Sequence, residues 1–299
     1  MSLAGKVAVV SGAGAGLGRA EALALAAAGA DVVVNDLGPG ARSVAEEIQA
    51  LGRRAVAVVG DIGERATADA VLAAAVDQLG GLHVLVNNAG VLRDRMLFNM
   101  TDEDWDLVVR VHLRGHFLLS RNAAAYWRDQ AKATGGPVYG RVVNTASESF
   151  LLGSGGQPNY AAAKAGIAAL TVSTARGLAR YGVRANAICP RARTDMTRAS
   201  FGAAPEQGVD PLSPEHVAPF VVYLASPAAD SISAQVFVVY GGMVALLAPP
   251  TVERRFDADG SGWTPAGLAE TVGGYFADRD PARTFACAEL YSLSPVEVS

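Results

Sequence analysis

The chain has little cysteine: Cys189 and Cys287, far apart, are all that 299 residues contain. That excludes a disulfide framework and zinc-ligand spacing, leaves no metal site legible, and suits a reducing compartment. Positive charge is not in excess, since 25 Lys and Arg face 29 Asp and Glu for a net charge of −4. A surface for nucleic acid normally shows as a basic excess or basic runs, so no such partner is expected. Long hydrophobic runs are missing as well. No stretch nears the roughly 18 apolar residues needed to span a bilayer. The N-terminus lacks a basic n-region, and the apolar run at 7–10 is too short for a signal peptide. The default expectation is a cytoplasmic protein without a membrane span.

Apolar residues are abundant, at 51%, enough for a large core. Short β-branched runs at 7–10, 32–34, 55–59, 84–86, 142–143, 184–188 and 236–239 alternate with Ala- and Leu-rich stretches at 17–28, 43–51, 66–79, 102–130, 160–181 and 214–225. Strands that are apolar throughout, separated by helices, imply parallel strands covered on both faces. The predicted fold is α/β: a doubly wound parallel sheet in a single domain over residues 1–248. From Pro249-Pro250 the chain turns rich in Gly, Pro, Asp and Arg, and 249–299 reads as a C-terminal extension that could lie over a neighbouring subunit or the substrate entrance. Within it, Asp257, Asp259 and Gly260 bear a faint likeness to a calcium loop. The further ligands and closing Glu are absent, so this is read as a turn.

After the first predicted strand comes Ser11-Gly12-Ala13-Gly14-Ala15-Gly16-Leu17-Gly18, then a helix. Glycines let the backbone turn sharply and approach a pyrophosphate, and the helix N-terminus offers free N–H groups and partial positive charge. In this strand–turn–helix setting the motif points to a dinucleotide. Eighteen residues beyond Gly18, the second strand ends in Asn35-Asp36-Leu37. A carboxylate there accepts from the adenosine ribose hydroxyls and repels a 2′-phosphate, and neither Ala15 nor Leu37 supplies a cation, so NAD is expected over NADP. The alternative is that Asp36 only starts the turn at Gly38-Pro39-Gly40. In such a fold Asp61 and Ile62, after the third strand, would reach the adenine edge.

Tyr160 and Lys164, four apart, fall on one helix face a turn from each other. Tyrosine titrates near 10, so work near pH 7 asks for about 4 kcal/mol in favour of the phenolate. A neighbouring ammonium acts in that direction. Ser147, thirteen residues upstream at the end of a strand, could hydrogen-bond a substrate oxygen as charge develops. Asn87-Asn88-Ala89-Gly90 follows the fourth strand, where a cofactor crevice would be lined.

On Gly12, Gly16, Gly18, Asp61, Asn87-Asn88-Ala89-Gly90, Ser147, Tyr160 and Lys164, the chain from about Gly5 to Met243 resembles the short-chain dehydrogenase/reductase family. The resemblance implies a sheet of about seven strands, hydride transfer with a nicotinamide cofactor, and a homotetramer or homodimer. The stretches at 33–38, 92–95, 102–106, 110–115 and 156–160 are similar to the (3R)-hydroxyacyl-CoA dehydrogenase part of peroxisomal multifunctional enzyme type two and its bacterial single-domain relatives. That implies an acyl-CoA substrate of fatty or steroid side-chain type. A steroid or other alcohol dehydrogenase, a 3-oxoacyl-carrier-protein reductase and a non-catalytic NAD sensor are the alternatives.

Two departures stand out. Most members carry Asn where this chain has His112; the imidazole is either structural, in a helix kink, or part of a proton relay. After Cys189-Pro190, Arg191 stands where the family usually has Gly, and Thr194, the expected carboxamide contact, falls one residue earlier than the family's Thr. Arg191, Arg193 and Arg198 are either contacts for CoA phosphates or solvated loop cations. Cys189 reads as a small core residue.

Overall fold

The computed structural model describes residues 1–293 except 259, 261 and 282; the aspartate of the faint calcium-loop pattern, Asp259, therefore lies outside the described residues. Seven strands coincide with the seven β-branched runs: β1 (Val7–Ser11), β2 (Asp31–Asp36), β3 (Ala55–Val59), β4 (Val84–Asn87), β5 (Gly140–Thr145), β6 (Val183–Pro190) and β7 (Val236–Tyr240). An eighth, β8 (Met243–Leu246), goes beyond the expectation. It turns back after Gly241-Gly242 and pairs antiparallel with β7, while all other pairs are parallel. All four of its residues are apolar, but only alternate ones are partly covered, as at a sheet edge.

The sheet order is β3-β2-β1-β4-β5-β6-β7-β8. The chain moves outward one way from β1 and then the other way from β4. Their carboxyl ends therefore flank the switch point, where crossovers leave on opposite faces and a crevice opens.

Helices α1 (Gly16–Ala27), α2 (Gly40–Ala50), α3 (Arg65–Ala73), α4 (Asp102–Val109), α5 (Gly115–Thr134), α6 (Ser149–Leu152), α7 (Pro158–Leu178), α8 (Arg198–Phe201) and α9 (Ala218–Ala225) follow in order. Leu25 of α1, Ile48 of α2 and Leu224 of α9 join the sheet residues Ala8, Val10 and Val34 in one core. Val71 of α3 with Leu118 and Trp127 of α5 join Val9, Val33 and Leu85 in the other. Alternation along β1 and β2 thus feeds both layers, as period-two strands require.

The long helix expected over 102–130 is in fact two. Thr101 caps α4 by accepting from the Asp104 N–H at 3.1 Å, and a π-helical turn at Arg110–Arg114 separates α4 from α5. Such turns widen a helix by one residue and re-aim its side chains. Here the turn carries His112.

Candidate active site

A cavity of about 730 Å³ opens at the carboxyl ends of β1, β4, β5 and β6. Its wall includes Gly12, Gly16 and Leu17 from the first turn, Asp36 from β2, Asn88 and Gly90 after β4, His112, Tyr160 and Lys164, and Pro190 and Thr194 after β6.

The glycine turn is shaped by close contact. Gly12 has φ +64°, and a Cβ on it would lie 2.6 Å from the Ala89 Cα; a Cβ on Gly18 would lie 2.3 Å from the Gly12 carbonyl oxygen. Neither position admits a side chain. Asn88 pins the turn, its Nδ2 donating to the carbonyls of Ser11 and Gly12 at 3.2 and 3.1 Å. Ser11 Oγ accepts from the N–H groups of Asn88 and Ala89 at 3.1 and 3.2 Å. At the start of α1, Ala15 offers no side-chain cap and the first turn holds no acid. Its amides are open toward the cavity, the arrangement that receives a phosphate. The Thr194 methyl packs over Gly16 from the opposite side.

Asp36 holds the turn and also lines the cavity. Its carboxylate accepts from the Gly14 N–H at 2.9 Å and the Gly38 N–H at 3.0 Å. These residues fit a dinucleotide: a cradle that any Cβ would fill, an uncapped helix start and a fixed acid beyond it. Gly18 and Ala89 shape this cradle from behind the wall. Asp61 and Ile62 stand apart from it. Arg110 holds Asp61 at 2.6 Å, and the Gly63 N–H donates to its other oxygen at 2.8 Å. Ile62 is buried in the core with Val9 and Leu85.

At the other end, α7 carries Tyr160 in its first turn and Lys164 one turn on. Lys164 is buried and its ammonium donates to the Thr145 carbonyl, at the end of β5. It lies 5.3 Å from the Tyr160 ring centroid. Burial pushes the Tyr160 hydroxyl up to about 12, against a hydrogen bond with Ser147 that pulls it down. Burial also pushes Lys164 down to about 7. The expected downward pull of Lys164 on Tyr160 does not prevail in this state: low polarity penalises phenolate and ammonium alike. Ser147 sits just behind the wall, its Oγ accepting from the N–H and hydroxyl of Ser149 at 3.2 and 3.1 Å.

His112 Nε2 lies 2.9 Å from the Val91 nitrogen and 2.8 Å from its carbonyl oxygen, so either tautomer finds a partner there. Its ring meets Tyr160 edge-on at 5.1 Å. Burial, then the Lys164 charge, hold it well below the usual histidine range. It is a neutral residue of the π-helical turn, with Nδ1 unpartnered among the described residues. The kink reading fits its Val91 contact but not that nitrogen.

A buried polar chain lies outside what the sequence suggests. Asn87 Nδ2 donates to Asn144 Oδ1 at 2.8 Å, and Asn144 Nδ2 to Thr171 Oγ1 at 2.8 Å, tying β4, β5 and α7 behind Lys164. The signal that could reveal it is an Asn directly after an apolar run within a strand, in Val84-Leu85-Val86-Asn87 and again in Val142-Val143-Asn144. Each of the three arginines is paired with a carboxylate, and Arg193 and Arg198 line the cavity. Arg191 pairs with Glu148 at 2.7 Å, Arg193 with Asp210 at 2.9 Å, and Arg198, exposed, with Asp195 at 2.5 Å.

The short-chain dehydrogenase model matches residues 6–203, two thirds of the chain and the whole of this cavity's cofactor end. The chain belongs to the short-chain dehydrogenase family. This short-chain dehydrogenase is 63% identical to the hydroxyacyl-CoA dehydrogenase ChsB1 of Mycobacterium tuberculosis, over 96% of its own length and 94% of that protein's. It is 39% identical to the mouse (Mus musculus) peroxisomal multifunctional enzyme type 2, over 74% of the chain but 30% of that longer protein. A solved short chain dehydrogenase from Mycobacterium avium superposes with a TM-score of 0.85 at 44% identity, covering 94% and 98% of the two chains. The α/β doubly wound fold and the oxidoreductase class follow. No helix among the described residues is long and apolar enough to cross a membrane.

Proposed function

We propose that this enzyme oxidises a (3R)-3-hydroxyacyl-CoA to the 3-oxoacyl-CoA with NAD. The observation that carries the chemistry is one cavity with the glycine turn and Asp36 at one end and Tyr160 with Lys164 at the other. The likeness to ChsB1, named a hydroxyacyl-CoA dehydrogenase, supports the substrate class. Bound NAD supplies the hydride acceptor. Gly12, Gly16 and Leu17 would receive its pyrophosphate, with Gly18 packed behind them, and Asp36 its ribose hydroxyls. Asn88 and Gly90, backed by Ala89, would line its path toward Pro190 and Thr194. Tyr160, as the phenolate, takes the substrate hydroxyl proton at Oη and becomes neutral, Ser147 Oγ hydrogen-bonds the same oxygen, and Lys164 offsets the phenolate charge before the transfer. Two free cysteines without a disulfide support a cytoplasmic setting, and assembly as a homodimer or homotetramer is carried over from the family.

Steady-state rates with NAD test this reading: a 3-hydroxyacyl-CoA should turn over far faster than the corresponding free hydroxy acid or a sterol alcohol. Equal or better rates with a free alcohol would overturn the thioester assignment. Coenzyme choice tests Asp36. Asp36→Ala removes both the ribose acceptor and the charge that repels a 2′-phosphate, so the ratio of kcat/KM for NAD over NADP should fall by about tenfold or more. An unchanged ratio would leave Asp36 only its turn contacts with Gly14 and Gly38.

A further inference from the structure

Arg191 and the C-terminal extension meet each other. Arg191 follows β6 where glycine is usual, and the C-terminal extension returns to it. The guanidinium forks the Glu148 carboxylate, Nε and Nη2 each donating at 2.7 Å. Its remaining donors reach the extension: Nη2 to the Leu290 carbonyl at 2.7 Å and Nη1 to the Leu293 carbonyl at 2.6 Å. The Leu290 carbonyl belongs to a 3-10 helix, Ala288–Ser292, and also accepts from the Leu293 N–H, while the Leu293 carbonyl follows that helix; a cation is well placed at such an end. Forked, charge-assisted contacts of this kind are strong and fix orientation.

Glu148 is the residue after Ser147 and begins the short helix α6. At that helix's far end the Leu151 carbonyl accepts from the Cys287 N–H at 2.9 Å. Between the two ties, Leu290 is 2% exposed and packs with Ala146, Ile167 and Cys189. Ala146 precedes Ser147, Ile167 lies on α7 beyond Lys164, and Cys189 precedes Pro190. One apolar side chain of the extension thus joins the buried cluster shared by all three elements that carry the reacting end of the cavity. Glu148, Arg191 and Leu290 are not in the cavity wall themselves.

We propose that residues 287–293 form a clasp that positions Ser147, with Arg191, Glu148 and Leu290 as its positioning residues. The idea rests on the reading of Ser147 as the group that holds the substrate oxygen. The physical reason is precision: a displacement of about 1 Å in a group that must meet a reacting atom costs up to about a hundredfold in rate. The serine sits on a turn whose four-residue helix cannot fix it alone.

The test uses the full chain with Arg191→Met and, leaving both side chains of the ion pair in place, Leu290→Ala. Deuterium exchange over 146–152 reads the clasp without any substrate, and steady-state kinetics reads its consequence. Expected are faster exchange in that segment for both variants, NADH affinity within about twofold of wild type, and kcat lower by about tenfold. The double variant should be no worse than the poorer single, since both open one clasp. Arg191→Lys, which keeps the charge but loses the fork, should recover only part of the rate. Unchanged exchange would overturn the clasp. Faster exchange with full kcat would make the segment a stabilising tail and overturn its positioning role. A wild type silent on the thioester would overturn the proposed function instead, and the exchange result would still decide the clasp.

Discussion

Tyr160→Phe will lower kcat by about a hundredfold to ten-thousandfold, the range set by losing a positioned acid–base group, while coenzyme affinity and thermal stability stay near wild type. The phenyl ring keeps the edge contact with His112 at 5.1 Å and the place beneath the Lys164 ammonium at 5.3 Å. What is lost is the hydroxyl that meets Ser147. The pH profile sharpens the test. Burial holds Tyr160 near 12, so the phenolate is scarce at neutral pH and oxidation by the wild type should accelerate as pH rises. The residual rate of the variant should lack that dependence. A Phe variant with wild-type kcat would remove Tyr160 from the chemistry.

Glu21→Gln will stabilise the protein in alkaline solution by a few kcal/mol, since each tenfold change in a proton's binding constant is worth about 1.4 kcal/mol. Glu21 lies on α1 with no exposure, and neither carboxyl oxygen has a partner among the described residues. Burial pushes it up from 4.5 to about 8. Between those values the folded chain keeps a proton that the unfolded chain releases. Wild-type stability therefore falls as pH rises through the window and levels off above about 8. Glutamine has nothing to ionise. Unfolding free energies of the two proteins should run level below about pH 4 and separate steadily as pH climbs to about 8. Parallel curves would show that Glu21 has a partner in solution.

Much of the architecture was legible because burial writes itself into residue type. Strands covered on both faces carry solid apolar runs, and β1, β2 and β4 are built around such runs. β5 and β6 interrupt theirs with Arg141, Asn144, Arg184 and Asn186. β8 escaped although Met243–Leu246 is apolar throughout, because so short a run directly after β7 and Gly241-Gly242 reads as the end of that strand. The π-helical turn was invisible for a related reason: the apolar spacing of 102–130 continues across Arg110–Arg114 with one extra residue, which blurs a helical period without breaking it. Gly12, Gly18, Asp36, Tyr160 and Lys164 were readable as a site because each needs its residue type locally. The surroundings of Asp61 and Arg191 were not, since their partners, Arg110 and Glu148, lie 49 and 43 residues away. Pairings of that range come from topology, and a sequence shows only the charge. The same holds for Leu290, an ordinary leucine in a polar segment until the chain folds back on β6.

The most direct measurement is NADH formation by the purified enzyme, followed by absorbance, with NAD and separately with (3R)- and (3S)-3-hydroxyacyl-CoA. Turnover is expected with the (3R) ester and little with the (3S) ester, and Tyr160→Phe should show only its residual rate with either. No NADH from either ester, in a protein that still binds NAD, would contradict the assignment.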